Sequence, residues 1–210
     1  MALSLHTAAL SFAASPVPAL RLPASASVQP TMLQSQALPF LEAPPKLDGT
    51  LAGDVGFDPL NLSSYYSLDW MREAELKHGR VCMLAWLGFV VTDIGIYAPG
   101  APHVRSLAAH DTCVGTGHML LLLFVIAIPE ALSYVAISQM MSGETDRKAG
   151  DYGIGWKFCK DDDTKTQEKY KLAEITHGRA AMIAFSGLVT HAQLFPDMAF
   201  PYGIPPSFGA

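Results

Sequence analysis

Charge is scarce in this chain. Only 16% of its 210 residues are Asp, Glu, Lys or Arg, against 50% hydrophobic, a balance richer in hydrocarbon than that of an ordinary soluble domain. Acid is missing altogether from the first 41 residues, where Arg21 is the sole Lys or Arg and Ala, Ser and Pro dominate. That is the composition of an organelle transit segment, so we expect a targeting segment over 1–35 and one domain over 36–210. Cysteine is rare too: Cys82, Cys113 and Cys159 are odd in number and far apart, which excludes a disulfide framework and a zinc pattern. A net charge of −5 without a basic cluster leaves nothing to attract nucleic acid.

Long hydrophobic runs are also lacking. The uninterrupted apolar stretches Val81–Val91 and Met119–Pro129 are 11 residues each, and on length alone such a run fits a buried soluble helix as readily as a membrane span. The distribution of Lys and Arg decides between them. Between Arg80 and Arg147 the only such base is Arg105, and none follows Arg179, whereas 147–171 holds Arg147, Lys148, Lys157, Lys160, Lys165, Lys169 and Lys171. The asymmetry alternates with three helical segments predicted over 71–97, 117–141 and 168–194, each about 37 Å long. It assigns the N-terminus and second loop to the positive side of a membrane, with the first loop and C-terminus opposite.

What the chain does have is a repeat. At an offset of 99, Ala74, Glu75, His78, Gly79, Arg80, Met83, Ala85 and Gly88 recur as Ala173, Glu174, His177, Gly178, Arg179, Met182, Ala184 and Gly187. The lead-ins echo as well, with GDVGFDPL beginning at Gly53 and GDYGIGWK at Gly150. The first and third spans are therefore predicted to be two copies of one unit. They form a crossed pseudo-twofold pair, with the second span peripheral.

Helical angles divide the motif into two tasks. At about 100° per residue, Glu174 and Arg179 lie about 140° apart, with Gly178 and Met182 between them. A glycine there lets two helix backbones approach. Across a twofold axis Glu75 would meet Arg179 and Glu174 would meet Arg80, giving each buried charge its partner. His177 and His191 fall about 40° apart on the outer face and about 21 Å apart along the axis, and His78 repeats the outward placement. A lipid-facing imidazole with no catalytic neighbour suits the axial position of an apolar magnesium macrocycle. A Glu whose charge is offset by Arg has a second oxygen to offer another such ring.

The doubled Glu-x-x-His-Gly-Arg, GDVGFDPL, the Met and Gly spacing after each Arg and the linker SGETDRKAGDYG resemble the three-helix light-harvesting chlorophyll-binding antenna family from about Gly53 onward. The linker and short loops are more similar to the red-lineage chlorophyll a/c antennae, of the fucoxanthin or peridinin type. The resemblance implies an all-α thylakoid membrane protein of the plastid, with the N-terminus and second loop stromal and the first loop and C-terminus lumenal. It implies chlorophyll a, chlorophyll c and carotenoids such as peridinin, fucoxanthin or diadinoxanthin as cofactors. The implied partners are a photosystem core, neighbouring antenna subunits and thylakoid lipids.

As magnesium ligands the resemblance implies Glu75, His78, Glu174 and His177, with Arg80 and Arg179 in structural ion pairs. Further down the third span His191 stands where the family usually has Gln, and the angles favour it over Gln193, which they turn toward the helix interface. In the second span the family carries a chlorophyll-binding Glu, and Glu130 is the only acidic residue there. Leu122 occupies the place of the second donor, and His118, twelve residues before Glu130 and on a different face, is a further candidate there, as Gln193 is in the third span. Pro129 frees the carbonyl of Val125.

The remaining polar and aromatic residues have plainer readings. His103, His110 and His118 read first as residues of the membrane interface, Met83 and Met182 as packing, and Trp70, Trp86 and Trp156 as interfacial anchors. The run Asp161, Asp162 and Asp163 reads as a solvated loop. Two alternatives stand beside light harvesting. A photoprotective member of the same family would use the same ligands. A di-iron carboxylate enzyme would need four helices, a second bridging Glu and inward-facing histidines, so no enzyme activity is expected.

Overall fold

The computed structural model describes residues 34–153, 164–196 and 198. The bulk of the expected targeting segment, Cys159, Trp156 and Asp161 to Asp163 lie outside them. The described residues form five helices: α1 (Leu62–Tyr65), α2 (Leu68–Ile94), α3 (Ser106–Gly115), α4 (His118–Ser142) and α5 (Thr164–Leu194). No strand occurs among the described residues beyond an isolated bridge between Gln34 and Glu42.

Local chemistry sets the ends of the long helices. Ser67 caps α2, its Oγ accepting the Trp70 N–H at 3.3 Å, so the helix begins three residues before the predicted 71. Gly95, at φ 93°, ends it before the predicted 97. The Gly95 and Ile96 N–H groups fold back onto Thr92 and Val91, satisfying carbonyls that a longer helix would have used. Gly143 closes α4 in the same way, with Glu144 bonded to Gln139. That helix runs unbroken through Pro129.

Two short helices were not foreseen. In α3, Asp93 at the end of α2 accepts both the N–H and the hydroxyl of Ser106, at 3.1 and 2.5 Å. A side chain 13 residues away thus supplies the cap that the local sequence lacks. In α1, Asp58 accepts the N–H groups of Leu62 and Ser63 at 2.9 and 2.8 Å. Lys46 donates to the carbonyl of Ser63 at 2.6 Å.

The core is the seam between α2 and α5. Leu76, Val90, Ile175 and Leu188 are its buried apolar residues, and Leu76 and Ile175 are repeat equivalents. A Cβ added to Gly79 would meet the Gly178 Cα at 2.9 Å, and one on Gly178 would meet the Gly79 Cα at 3.1 Å. Backbone touches backbone there. By contrast α4 has no buried residue, and its large side chains, Leu121, Phe124, Ile128 and Leu132 among them, are exposed. Among the described residues it is also the one helix apolar and long enough to cross a membrane by length and composition alone, with a mean hydropathy of 2.3.

Before α1, Ser35 at the end of the expected targeting segment is buried. Its hydroxyl donates to the Gly56 carbonyl at 2.6 Å.

Candidate functional site

Both copies of the charged motif meet across the glycine contact. Arg179 Nε donates to Glu75 Oε1 at 2.7 Å and Arg80 Nε donates to Glu174 Oε1 at 2.7 Å. Each guanidinium then reaches a glycine carbonyl in the other copy's lead-in turn: Arg179 to Gly53 at 2.7 Å, Arg80 to Gly150 at 2.9 Å. Those glycines have φ of 73° and 78°, a region that side-chain-bearing residues rarely adopt. They also have no room for a Cβ, which would lie 2.8 Å from Ile175 Cγ2 or 2.2 Å from Leu76 Cδ1. The echo between the lead-ins thus has a physical cause: each arginine clamps its partner helix's glutamate and the turn that delivers that helix.

The two halves differ in their surroundings. Glu75 also takes Arg72, whose Nη1 lies 3.1 Å from Oε2 while its Nη2 donates to the Ala52 carbonyl at 2.5 Å. Arg80 lies 5.9 Å from the centre of the Tyr152 ring, and Arg147 lies 4.9 Å from it on a cation–π approach.

That ring belongs to a cluster outside the sequence-based expectations. Glu73, only 3% exposed, accepts the Gly150 N–H at 2.6 Å, Arg147 Nη1 at 3.2 Å and the Tyr152 hydroxyl. Burial, followed by the hydrogen bond and charge of Glu73, pushes the Tyr152 hydroxyl up to about 12. The cluster has no counterpart in the other copy, because Leu172 stands at the position of Glu73. Its one signal was a second acid two residues before the motif's own Glu.

The motif histidines turn the other way. His78 Nδ1 lies 2.7 Å from the Ala74 carbonyl and His177 Nδ1 lies 2.7 Å from the Ala173 carbonyl, and both residues are exposed. A carbonyl only accepts, so each Nδ1 carries hydrogen, and in the neutral ring the lone pair resides on Nε2. An anchored Nδ1–H with an outward Nε2 is the usual setting of a metal-ligating histidine.

Other candidates are placed individually. His191 is half-buried with its ring 4.9 Å from that of Phe195, while Gln193 is exposed, the reverse of what the helical angles led us to expect. The C-terminal turn of α5 lies beside the start of α3 as well as the end of α2, so a further face is covered there. His118 is exposed at the first turn of α4, with Nδ1 2.8 Å from Thr116 Oγ1. His103 stacks on Tyr97 at 4.6 Å. Glu130 is ion-paired to Lys77 of α2 at 2.5 Å, a partner not anticipated. A di-iron site would need each motif's Glu and His on one side. The glutamates are turned to arginines and the imidazoles outward.

A helix pair welded by ion pairs, with one nitrogen of each motif imidazole left outward and exposed, carries donors of the type that a metal-centred ring requires. Residues 43–193 match the family described as Chlorophyll A-B binding protein. The chain is 32% identical to the fucoxanthin-chlorophyll a-c binding protein D of Phaeodactylum tricornutum, over 66% of this chain and 74% of that protein. It is 29% identical to the photosystem I chlorophyll a/b-binding protein 5 of Arabidopsis thaliana, over 81% and 75%. It is also 29% identical to the fucoxanthin-chlorophyll a-c binding protein of Chattonella marina var. antiqua, over 81% and 83%. The chain belongs to the family of light-harvesting chlorophyll-binding antenna proteins.

Proposed function

We propose that this chain is a plastid light-harvesting protein of the chlorophyll a/c type that crosses the thylakoid membrane through α2, α4 and α5 and passes excitation to a photosystem. The names of its relatives support chlorophylls a and c with fucoxanthin-like carotenoids as its pigments. Bound chlorophyll supplies the excited state. The protein's task is to hold the rings at fixed separations, with no bond made or broken.

The donor set suits that group. His78 and His177 each offer an outward nitrogen, and their Nδ1–H anchors fix the direction in which it points. Glu174 and Glu75 offer carboxylates whose charge is offset by Arg80 and Arg179, so a neutral magnesium ring is not joined to an unbalanced anion in hydrocarbon. Glu75 shares its second oxygen with Arg72, and the remaining lone pair there is what it has to give. His191 and Glu130 complete the proposed ligands, with His118 and Gln193 as further candidates. The charged ends of α2 and α5 lie on the stromal side with the second loop, and α3 lies on the lumenal side. The targeting segment over 1–35 would precede the folded domain.

The single observation carrying this reading is the matched pair of outward histidines, each anchored to the carbonyl four residues earlier. Purification of the pigmented protein, with pigment extraction and fluorescence excitation spectra, tests it. Chlorophyll a emission excited through carotenoid absorption is the expected result. A purified chain without chlorophyll would overturn it.

A further inference from the structure

The two copies of the charged motif part company at one polar position: AELKHGR has Lys77 where AEITHGR has Thr176. The structure supplies a reason. Thr176 turns its hydroxyl back onto the Leu172 carbonyl of its own helix. Lys77 crosses to α4, where Nζ lies 2.5 Å from Glu130 Oε2 and 3.0 Å from Ser133 Oγ. The Ser133 hydroxyl donates in turn to the Glu130 carbonyl at 3.0 Å, which leaves its oxygen lone pairs to receive the ammonium. Glu130 is the only acid of α4 and stands about 18 Å from the helix start, near the middle of the apolar span.

A carboxylate at that depth costs a few kcal/mol unless it has a partner. α4 itself offers no cation. The links at its C-terminal end are weak sulfur contacts, Ser67 with Met141 at 3.8 Å and Arg147 with Met140 at 3.6 Å. The Lys77 bond engages Oε2 alone. Among the described residues Oε1 of Glu130 has no protein partner, and the side chain is 48% exposed.

We propose that Lys77 is the positioning residue and counter-charge that makes Glu130 a chlorophyll ligand, extending to the third helix the rule that α2 and α5 apply to each other with arginine. The proposal rests on the reading of Glu130 as a ligand. It also explains why the motif is imperfectly repeated: α4 contacts α2 and not α5 to a comparable extent, so only one copy needs the lysine.

The test is the chlorophyll count per chain after refolding the full chain with chlorophylls and carotenoids. Lys77→Met should lose one chlorophyll, and Lys77→Arg should keep it. Glu130→Gln should also keep it, because a neutral amide oxygen ligates without a counter-charge. The double variant Lys77→Met with Glu130→Gln should regain the pigment lost in Lys77→Met. A full complement in Lys77→Met overturns the proposal. So does a double variant no better than Lys77→Met, since a lysine that merely tethers two helices would not be rescued by neutralising its acceptor. Glu130→Ala separates the two ideas: a full complement there means that Glu130 is no ligand, whatever Lys77 does.

Discussion

Arg179 of α5 holds Glu75 of α2 at 2.7 Å and, through the same guanidinium, the Gly53 carbonyl at 2.7 Å. One side chain therefore joins two helices and the turn that precedes one of them. Arg80 does the same for Glu174 and Gly150. The fold is held by two such clamps around a glycine contact rather than by a large apolar core.

Loss of Arg179 takes from Glu75 its partner on the other helix and leaves it Arg72 alone. Arg179→Leu should destabilise the protein by about 1–3 kcal/mol, the range for losing a hydrogen bond to a charged group, because the pair is only partly buried, and it should release the chlorophyll proposed for Glu75. The double change Glu75→Leu with Arg179→Leu should recover much of the stability and none of that chlorophyll. Thermal melts and pigment counts of the wild type, the two single variants and the double variant check this. Additive stability losses would mean that the pair is not coupled.

The crossing itself is predicted to tolerate no side chain. Gly79→Ala places a Cβ 2.9 Å from the Gly178 Cα, a backbone atom that cannot rotate aside, and should cost about 1–3 kcal/mol by overpacking. Gly115→Ala is the control, because nothing lies within 4 Å of a Cβ there. Equal melting temperatures for the two variants would contradict the contact.

How far the sequence foretold this arrangement depended on where information is stored. The motif is written twice, so Glu75, Arg80, Glu174 and Arg179 could be paired by angle and symmetry alone. The outward histidines followed from the same periodicity. Glu73 with Tyr152 and Glu130 with Lys77 occur once each, and an unrepeated acid on a helix does not announce its partner 79 or 53 residues away. α3 was missed for a related reason, since its cap is Asp93 on a different helix. His191 and Gln193 were misjudged because angles report which face a residue occupies, and neighbouring elements decide whether that face is covered.

The histidines should be dispensable for folding. Each of His78→Ala and His177→Ala removes an exposed ring that is hydrogen-bonded to a carbonyl of its own helix, so each should lose one chlorophyll per chain while the helix pair still forms. Pigment extraction with far-ultraviolet circular dichroism separates the two effects. Unchanged chlorophyll stoichiometry would show that the imidazoles are not ligands.

Tyr152 predicts an alkaline transition. Its hydroxyl is pushed up to about 12 in the folded protein by burial and by its bond to Glu73, above the value near 10 of a free tyrosine. A group whose folded value is raised contributes stability that is fully present below about pH 10 and is lost as pH rises through about 12. In that window the phenolate would face the Glu73 carboxylate, and the loop carrying Gly150 and Arg147 should detach from α2. Tyr152→Phe deletes the ionising group and should lose the transition. It should also cost about 1–3 kcal/mol at neutral pH, because the buried Glu73 is left one donor short. Tyrosinate absorbance and melting temperature followed between about pH 9 and 12.5 check both expectations; a Tyr152→Phe protein that kept the wild-type alkaline profile would remove Tyr152 as its cause.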